Sequence, residues 1–201
     1  MYLPKHFEVT DKTILFDLMQ QFSFATLISI HEGLPFATHM PFVVNQEKNL
    51  LSSHIARANP QWTSFKDNHE VLVIFQGDHS FISPTWYDKH PSVPTWNYMT
   101  VHAYGKLNIV EDSERVKTLL HELVLQYETT WDMLELPENY IQGMIKGIVA
   151  FEIAITRLEG KFKLSQNRSE VDQNNVIEAL SKSNNTHDRD LAQKMRQTLA
   201  K

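Results

Sequence analysis

The 201-residue chain contains no cysteine. Without thiols it can form no disulfide, no thiolate metal site and no covalent cysteine intermediate. It also lacks an apolar run long enough to cross a membrane, and its first twelve residues, MYLPKHFEVTDK, lack the apolar core of a secretory signal. We therefore expect a cytoplasmic protein that makes no membrane contact.

Several sequence motifs of enzymes are missing as well. The chain has no GxGxxG, no Walker A loop, no GxSxG and no HExxH. Its ten histidines do not pair at i, i+4 on any predicted helix. A histidine and carboxylate site assembled from different strands stays an alternative. We predict no metal site, and we name no catalytic residue.

An excess of positive charge is also absent, since the formal net charge is −5. Proteins that bind double-stranded DNA neutralise its phosphates with lysine and arginine. The densest basic segment, 157–168, carries four cations against one carboxylate, and segment 170–201 is balanced in charge. These cations are enough to bind one phosphate group, but they are too few to neutralise the many phosphates of a DNA duplex. DNA is therefore a candidate partner with weak support from charge.

What the chain does have is an ordinary globular composition, 42% apolar and 21% charged, which fits one domain with at most a small appendage. Its most regular segment begins at Thr95. Alternate residues form a slim face, Asn97, Met99, Val101, Ala103, Gly105 and Leu107, and a bulky face, Trp96, Tyr98, Thr100, His102, Tyr104 and Lys106. A period of two predicts a strand with one packed face and one aromatic face that something large must cover.

Shorter patterns predict the remaining elements. We expect a hairpin of 23–30 and 34–44, strands at 50–55, 70–77 and 147–164, and helices after Thr10, at 59–67, 113–128, 171–182 and 187–199. Loops are expected at 84–94 and around Trp131 and Pro137. About six strands with inserted helices predict a mainly β fold, an antiparallel barrel or sandwich, of which the small closed barrel is favoured.

Polar residues cluster in four segments at predicted strand ends: ATHMPF (37–42), LSSHIARANPQW (51–62), VPTWNY (93–98) and EGKFKLSQN (159–167). The second combines Ser53, Arg57 and a helix start at Asn59, which is the donor set that a phosphate prefers. The others supply an aromatic wall and amides, which suit a flat heteroaromatic ring. The pattern predicts a nucleotide-like ligand with a phosphate tail.

Each of these residues also has a simpler interpretation. Arg57 can pair with a surface carboxylate, His39 and His54 can be core or rim histidines, Asn59 can cap a helix, Gln166 and Asn167 can be turn residues, and Trp96 and Tyr98 can form cross-strand pairs or a dimer interface. Only the coincidence of four clusters favours a ligand site.

Six ordered motifs resemble the PaiB family of bacterial FMN-binding negative transcriptional regulators: MYLPKHF, GLPFATHMPF, HIARANPQW, FISPTWY, VPTWNYMTVHAYG and EGKFKLSQN. The resemblance extends to about residue 167. It implies an FMN-binding split β-barrel over 1–168, followed by two helices in a C-terminal extension, 169–201, that is packed on or swapped between barrels. It also implies a homodimer with FMN near the subunit interface, and repression of protease production and sporulation genes.

The same resemblance implies a set of cofactor contacts. Thr38 and His39 lie along the flavin; Ser53, His54 and Arg57, with Asn59 beside them, hold its phosphate; and Trp96, Asn97, Lys163, Gln166 and Asn167 close the site. The related oxidases carry adjacent arginine and lysine in the phosphate pocket, whereas Arg57 stands between two alanines. Two other functions stay open, an FMN-dependent oxidoreductase of unknown substrate and an interaction module with an empty pocket.

Overall fold

A computed structural model describes residues 1–67 and 70–199, and within them eight strands form one sheet. The strands are β1 Glu8–Val9, β2 Phe24–His31, β3 Leu34–Pro41, β4 Val43–Asn45, β5 Leu50–Ala56, β6 Glu70–Ile82, β7 Thr95–Val110 and β8 Ile148–Lys163. The α-helices are α1 Lys12–Gln21, α2 Ser113–Leu125, α3 Glu138–Lys146, α4 Glu170–Ser181 and α5 Thr186–Leu199. Short 3₁₀ helices cover Lys5–Phe7, Pro60–Asp67, Pro84–Trp86 and Met133–Glu135.

The sheet is mostly antiparallel. Its strand order is β3-β2-β6-β7-β8-β5-β4, and β1 pairs with β8 outside this path. The pairings of β1 with β8, β2 with β3, β2 with β6, β4 with β5 and β5 with β8 are all antiparallel. The predicted fold class, mainly β with inserted helices and two helices at the C-terminus, is therefore confirmed.

The residues group into two compact units that alternate along the chain. Unit 1 consists of Met1–Asp11, Gln76–Val101 and Glu159–Lys201, and unit 2 consists of Lys12–Phe75 and His102–Leu158. The long strands β6, β7 and β8 each contribute residues to both units. The division expected between residues 168 and 169 stays a prediction.

Phenylalanine rings form the centre of unit 2. Phe42 lies 5.9 Å from Phe75 and 6.4 Å from Phe151, between ring centroids, and Phe65 lies 5.4 Å from Phe151. All four side chains are buried. Helix α2 turns its apolar side, which includes Leu119, toward the same sheet. Burial of these large rings stabilises this unit.

The strand predicted over 34–44 is wrong in one respect, because it is two strands. Pro41, which has no N–H to donate, ends β3, and the buried Phe42 instead donates its N–H to the Ser23 carbonyl at 2.9 Å. Strands β3 and β4 then lie at opposite ends of the strand order. Ser53 Oγ on β5 donates to the Pro41 carbonyl at 2.6 Å. Within unit 2 the two margins of the sheet therefore approach each other, as a small barrel requires.

The loop predicted around Trp131 and Pro137 is confirmed at these two residues, but the prediction missed the helical segments beside them. A 3₁₀ turn at Met133–Glu135 is followed by α3, which buries only Ile141. A nine-residue helix with one buried side chain has too short an apolar stripe for its period to be recognised from sequence. Two further boundaries differ from prediction: β6 continues to Ile82, and the segment 59–67 forms a 3₁₀ helix from Pro60.

The alternation along β7 is confirmed. The slim-face residues from Asn97 to Leu107 are buried, whereas the bulky face is more exposed, with Thr100 as the buried exception. Cations of the same chain cover part of this face. In unit 1 the Lys161 ammonium lies 5.6 Å from the Tyr98 ring centroid, and in unit 2 the Arg157 guanidinium lies 3.6 Å from the ring centroid of Tyr104.

Helices α4 and α5 pack against each other in unit 1. Helix α5 is also tied to β6, since His187 Nδ1 lies 2.9 Å from Asp78 Oδ1, a carboxylate whose side chain is only 3% exposed. The hydrogen bond to this carboxylate raises the pKa of His187. Among the residues described, no helix combines the length and apolar character needed to cross a membrane.

Candidate functional site

A polar network in unit 2 centres on Gln61, which is fully buried at the start of the 3₁₀ helix. Its Nε2 lies 3.1 Å from both Ser29 Oγ and the Phe36 carbonyl and 3.4 Å from the Leu27 carbonyl. Its Oε1 accepts from Thr38 Oγ1 at 2.5 Å. Gln61 therefore joins the helix to β2 and β3. The sequence reasoning missed it, because a lone glutamine next to a proline carries no signal of burial.

Thr38 and Asn59 complete this network. Asn59 Nδ2 donates to Thr38 Oγ1 at 3.1 Å, and Asn59 Oδ1 accepts from the Gln61 backbone N–H at 3.0 Å. The second bond is a helix cap, so the simpler interpretation of Asn59 is confirmed. The Thr38 hydroxyl proton goes to Gln61, so both residues use their donors and acceptors within the chain. They position the start of the helix and one strand beside it.

The end of β5 carries three of the predicted phosphate residues. The hydroxyl proton of Ser53 is used in the bond to the Pro41 carbonyl. The neighbouring His54 has a buried Nδ1 without a hydrogen-bond partner, and burial lowers its pKa, so the imidazole is neutral near pH 7. A buried polar atom without a partner is unfavourable unless a ligand or water satisfies it. His54 is thus the strongest structural indication of a ligand in this unit.

Arg57 follows directly, and within the part of the chain that the structure describes it pairs with no carboxylate. Its Nε donates to the Lys146 carbonyl at 2.8 Å and its Nη2 donates to the Ile148 carbonyl at 2.7 Å. These carbonyls lie at the end of α3 and the start of β8, so Arg57 holds this junction together. Within the described residues its Nη1 makes no hydrogen bond. One face of the guanidinium group therefore remains able to bind an anion.

A cavity of about 370 Å³ opens beside Arg57 in unit 2. Most of the other residues that line it are apolar: Trp62, Ile109, Val110, Val116, Ile145, Ile148, Val149 and Ala150, with Glu111 also at the lining. The Arg57 guanidinium lies 5.9 Å from the Trp62 ring centroid. Its volume lies within the range of small-molecule sites, and its walls offer both apolar and polar surface to a ligand. His39, in contrast, points out from the exposed part of β3.

The predicted site residues of unit 1 divide into two kinds. Asn97 is fully buried, and its Nδ2 lies 2.9 Å from Ser165 Oγ and 3.6 Å from Met195 Sδ. Gln166 accepts from the Leu164 N–H at 2.7 Å and donates to the Phe162 carbonyl at 2.6 Å. Both amides therefore hold their own unit together: Asn97 links β7 to α5, and Gln166 closes the turn after β8.

The other three residues of unit 1 are more accessible. Trp96 is 53% exposed and lies near His79 and Phe81, at 6.2 Å and 6.0 Å between ring centroids. Asn167 is exposed in the turn. Lys163 Nζ donates to Thr95 Oγ1 and to the Trp96 carbonyl, at 2.7 Å and 2.6 Å. Burial and the neighbouring positive charges of Lys161 and Arg168 lower the pKa of Lys163.

The donor chemistry at the end of β5 fits an FMN phosphate. His54 offers an unpartnered nitrogen, Arg57 offers an unpartnered guanidinium N–H, and the cavity adjoins Arg57. Metal chemistry has no comparable support, because residues 1–67 and 70–199 contain no group of three or more histidine or carboxylate side chains placed to hold an ion. His54 is not among the residues that line this cavity, so its open nitrogen and the cavity beside Arg57 are two separate indications of a ligand in unit 2.

Residues 1–157 match the family model described as "Putative FMN-binding domain". This match covers most of the chain, and it includes the end of β5 and the cavity residues. Solved structures with a similar fold include proteins that are described as binding a flavin. A FAD and heme binding protein from Mycobacterium smegmatis has a TM-score of 0.61 and 15% identity to this chain, covering 78% of this chain and 73% of the other. A conserved hypothetical protein from Mycobacterium tuberculosis also gives 0.61, with 13% identity and coverage of 85% and 95%.

A protein from Bacillus subtilis is more similar to this chain in sequence than these two structures are. The chain is 38% identical to the protease synthase and sporulation protein PAI 2 of Bacillus subtilis (strain 168), over all of this chain and 99% of the relative. The protein therefore belongs to the PaiB family of FMN-binding-domain proteins, with the split-barrel fold that its sequence motifs predicted.

Proposed function

We propose that the protein is an FMN-binding, homodimeric, PaiB-type regulator that lowers protease production and the expression of sporulation genes. The observation that carries this proposal is the 38% identity to the PAI 2 protein over the full length of both chains. Similarity that includes the C-terminal helices supports a shared role for the whole chain rather than for the FMN-binding domain alone. A cytoplasmic location stays a prediction.

We assign the FMN phosphate to His54 and Arg57. Both have a nitrogen without a partner, and a phosphate oxygen would accept a hydrogen bond from each. Ser53, Thr38 and Asn59 act by positioning, because the hydroxyl protons of Ser53 and Thr38 and one amide N–H of Asn59 are already used in hydrogen bonds within unit 2. The five residues of unit 1 named from the resemblance stay predictions, each of which can be tested by its own variant. When bound, FMN supplies a redox-active ring.

The exposed face of the β2–β3 hairpin supports the homodimer. Phe24 and Ile30 are 65% and 60% exposed on one face of β2, and their cross-strand partners are Pro41 and Pro35. Such an apolar face on a regular sheet is typical of a protein interface. A second copy of the chain could cover it around a two-fold axis, which sedimentation of the purified protein measures directly.

The phosphate assignment predicts how FMN and riboflavin should differ. Riboflavin lacks the phosphate, so the ratio of the two dissociation constants isolates the phosphate contacts. We expect Arg57→Ala to reduce the preference for FMN by about tenfold, which is the usual effect of losing one charged hydrogen bond. Flavin absorbance or fluorescence during titration of the cofactor-free protein provides the measurement.

Arg189→Ala is the matched control for this experiment. Arg189 is also an exposed arginine that donates to a backbone carbonyl near a helix end, that of Ser183, at 2.8 Å. Its replacement should leave the preference for FMN unchanged. If Arg57→Ala keeps the wild-type preference while folding normally, the phosphate does not bind at Arg57. If the wild-type protein binds neither flavin, the cofactor part of the proposal is wrong.

The regulatory role predicts a measurable effect in cells. In a Bacillus subtilis strain without its own PAI 2 protein, expression of this chain should lower secreted protease activity and sporulation frequency relative to an empty vector. Expression of Arg57→Ala tests whether this effect requires the phosphate contact. A folded wild-type protein that changes neither readout would contradict the regulatory role, whatever the flavin titration gives.

A further inference from the structure

Three cations lie close together where β8 ends in unit 1. Lys161 and Lys163 are two residues apart on the strand, so their side chains leave the same face of β8. Arg168 follows in the turn. The charges that act on Lys163 are those of Lys161 and Arg168, and both are positive. These three residues are called the β8 basic cluster below.

The cluster is partly removed from water. Lys161 is only 9% exposed, and Lys163 and Arg168 are half-buried. Aromatic rings account for much of this burial. Besides Tyr98, the Lys161 ammonium lies 5.4 Å from the ring centroid of Tyr2, and the Arg168 guanidinium lies 4.3 Å from that of Tyr87. A cation over the face of an aromatic ring is stabilised by the negative electrostatic potential of that face.

No carboxylate among the described residues pairs with these cations. Lys161 Nζ donates to the Tyr2 carbonyl at 3.0 Å, and Lys163 Nζ donates to a hydroxyl and a carbonyl, both neutral acceptors. The guanidinium of Arg168 makes no hydrogen bond within the described part of the chain. In the same unit, Glu159 pairs with the N-terminal amine, and Asp172 accepts from the Asp88 N–H.

This arrangement is unfavourable for the isolated chain. Buried charges in proteins are usually paired, and three like charges at close range repel each other. Burial and the two neighbouring cations lower the pKa of Lys163, which is the consequence expected when no anion is present. The Tyr87 hydroxyl, on the ring beneath Arg168, is also buried and has no hydrogen-bond partner. An anion with several acceptor oxygens would relieve the repulsion.

We propose that Lys161, Lys163 and Arg168 form an anion-binding site in unit 1 that takes a phosphate monoester. A phosphate group offers a double negative charge and several oxygens, which matches two ammonium groups and one guanidinium fork better than a single carboxylate does. The phosphate can belong to FMN or to a separate phosphorylated small molecule. The site does not depend on the assignment of the FMN phosphate to His54 and Arg57.

The test titrates inorganic phosphate into the full chain, purified free of flavin, in a low-salt buffer without phosphate. The titration is then repeated with the Arg57→Ala protein, which lacks the arginine assigned to the FMN phosphate. This protein is the background in which the further variants are made. We expect saturable binding by calorimetry that Lys163→Gln and Arg168→Gln each weaken by about tenfold or more. Arg196→Gln, which removes a cation from α5 in the same unit, is the control and should bind phosphate like the background protein.

Thermal unfolding provides a second readout. It distinguishes a variant that has lost a phosphate contact from one that binds poorly because it is misfolded. Phosphate should raise the melting temperature of the background protein and of Arg196→Gln, but not that of Arg168→Gln. Arg168→Gln should still be folded by circular dichroism without phosphate, since it removes a repulsive charge. The proposal is overturned if the background protein shows no saturable phosphate binding, or if Lys163→Gln and Arg168→Gln bind phosphate as it does.

A competition experiment with the wild-type chain identifies the source of the phosphate. If FMN displaces the phosphate that depends on Lys163 and Arg168, the cluster holds the cofactor's own phosphate, and the assignment of that phosphate to His54 and Arg57 is wrong. If FMN and phosphate bind together, the cluster serves a separate phosphorylated ligand. Both results support an anion site. Failure to bind flavin would contradict the proposed function and leave the phosphate result unaffected, so the two proposals fail separately.

Discussion

Replacing Gly105 with alanine is expected to lower the free energy of unfolding by about 1–3 kcal/mol. Gly105 lies on the buried face of β7. An added Cβ would lie 2.5 Å from the Ala154 carbonyl oxygen and 2.6 Å from Ile153 Cγ2, both within unit 2. The carbonyl belongs to the backbone of β8 and cannot rotate away, so the strands must separate. Thermal or denaturant unfolding measures the loss.

Gly143→Ala is the matched control. Gly143 lies within α3 in the same unit, and an added Cβ there meets no atom within 4 Å. Alanine has the higher helix propensity and reduces the entropy of the unfolded chain, so this variant should gain about 0.5–1 kcal/mol. Opposite signs for the two variants would support the close approach at Gly105. Equal effects would contradict it.

The second large effect is expected from Gln61→Leu, which should destabilise the protein by about 2–4 kcal/mol. Leucine has a similar size but offers neither a donor nor an acceptor. The change leaves the Ser29 hydroxyl, the Phe36 carbonyl and the Thr38 hydroxyl without their partner in a buried site. The measurement is chemical unfolding followed by fluorescence, with the midpoint and slope fitted separately.

Gln126→Leu provides the comparison, because Gln126 is exposed and its side chain donates only to the Tyr127 hydroxyl. We expect its effect to stay within about 0.5 kcal/mol. Gln61→Leu should also weaken FMN binding, since Thr38 and Asn59 lose the group that positions them. A Gln61→Leu protein as stable as Gln126→Leu would mean that water replaces the lost hydrogen bonds.

Regular patterns in the sequence predicted the elements that bury one full face. The alternation in β7 was correct, and a helix does begin at residue 113, because the side-chain period of a strand or helix follows directly from local geometry. The cap at Asn59 was predictable for the same reason, since its bond reaches only two residues along the chain. The PaiB family could also be predicted, because its motifs are contiguous segments.

Hydrogen bonds between distant segments could not be predicted. Gln61 bonds to β2 and β3, more than twenty residues away, and Arg57 bonds to carbonyls near residue 147. Nothing in the local sequence distinguishes these residues from surface glutamine and arginine. Ser53 on β5 likewise donates to the Pro41 carbonyl, twelve residues back along the chain.

The sequence by itself thus determined the mainly β class, the faces of its long elements and the family, because these depend on contiguous residues. Tertiary structure decided which polar groups remain open to a ligand. Thr38, Ser53 and Asn97 form hydrogen bonds within their own units, whereas the His54 imidazole keeps an unpartnered nitrogen and Arg168 an unpaired guanidinium group. Whether a donor is already satisfied depends on atoms that folding brings near it.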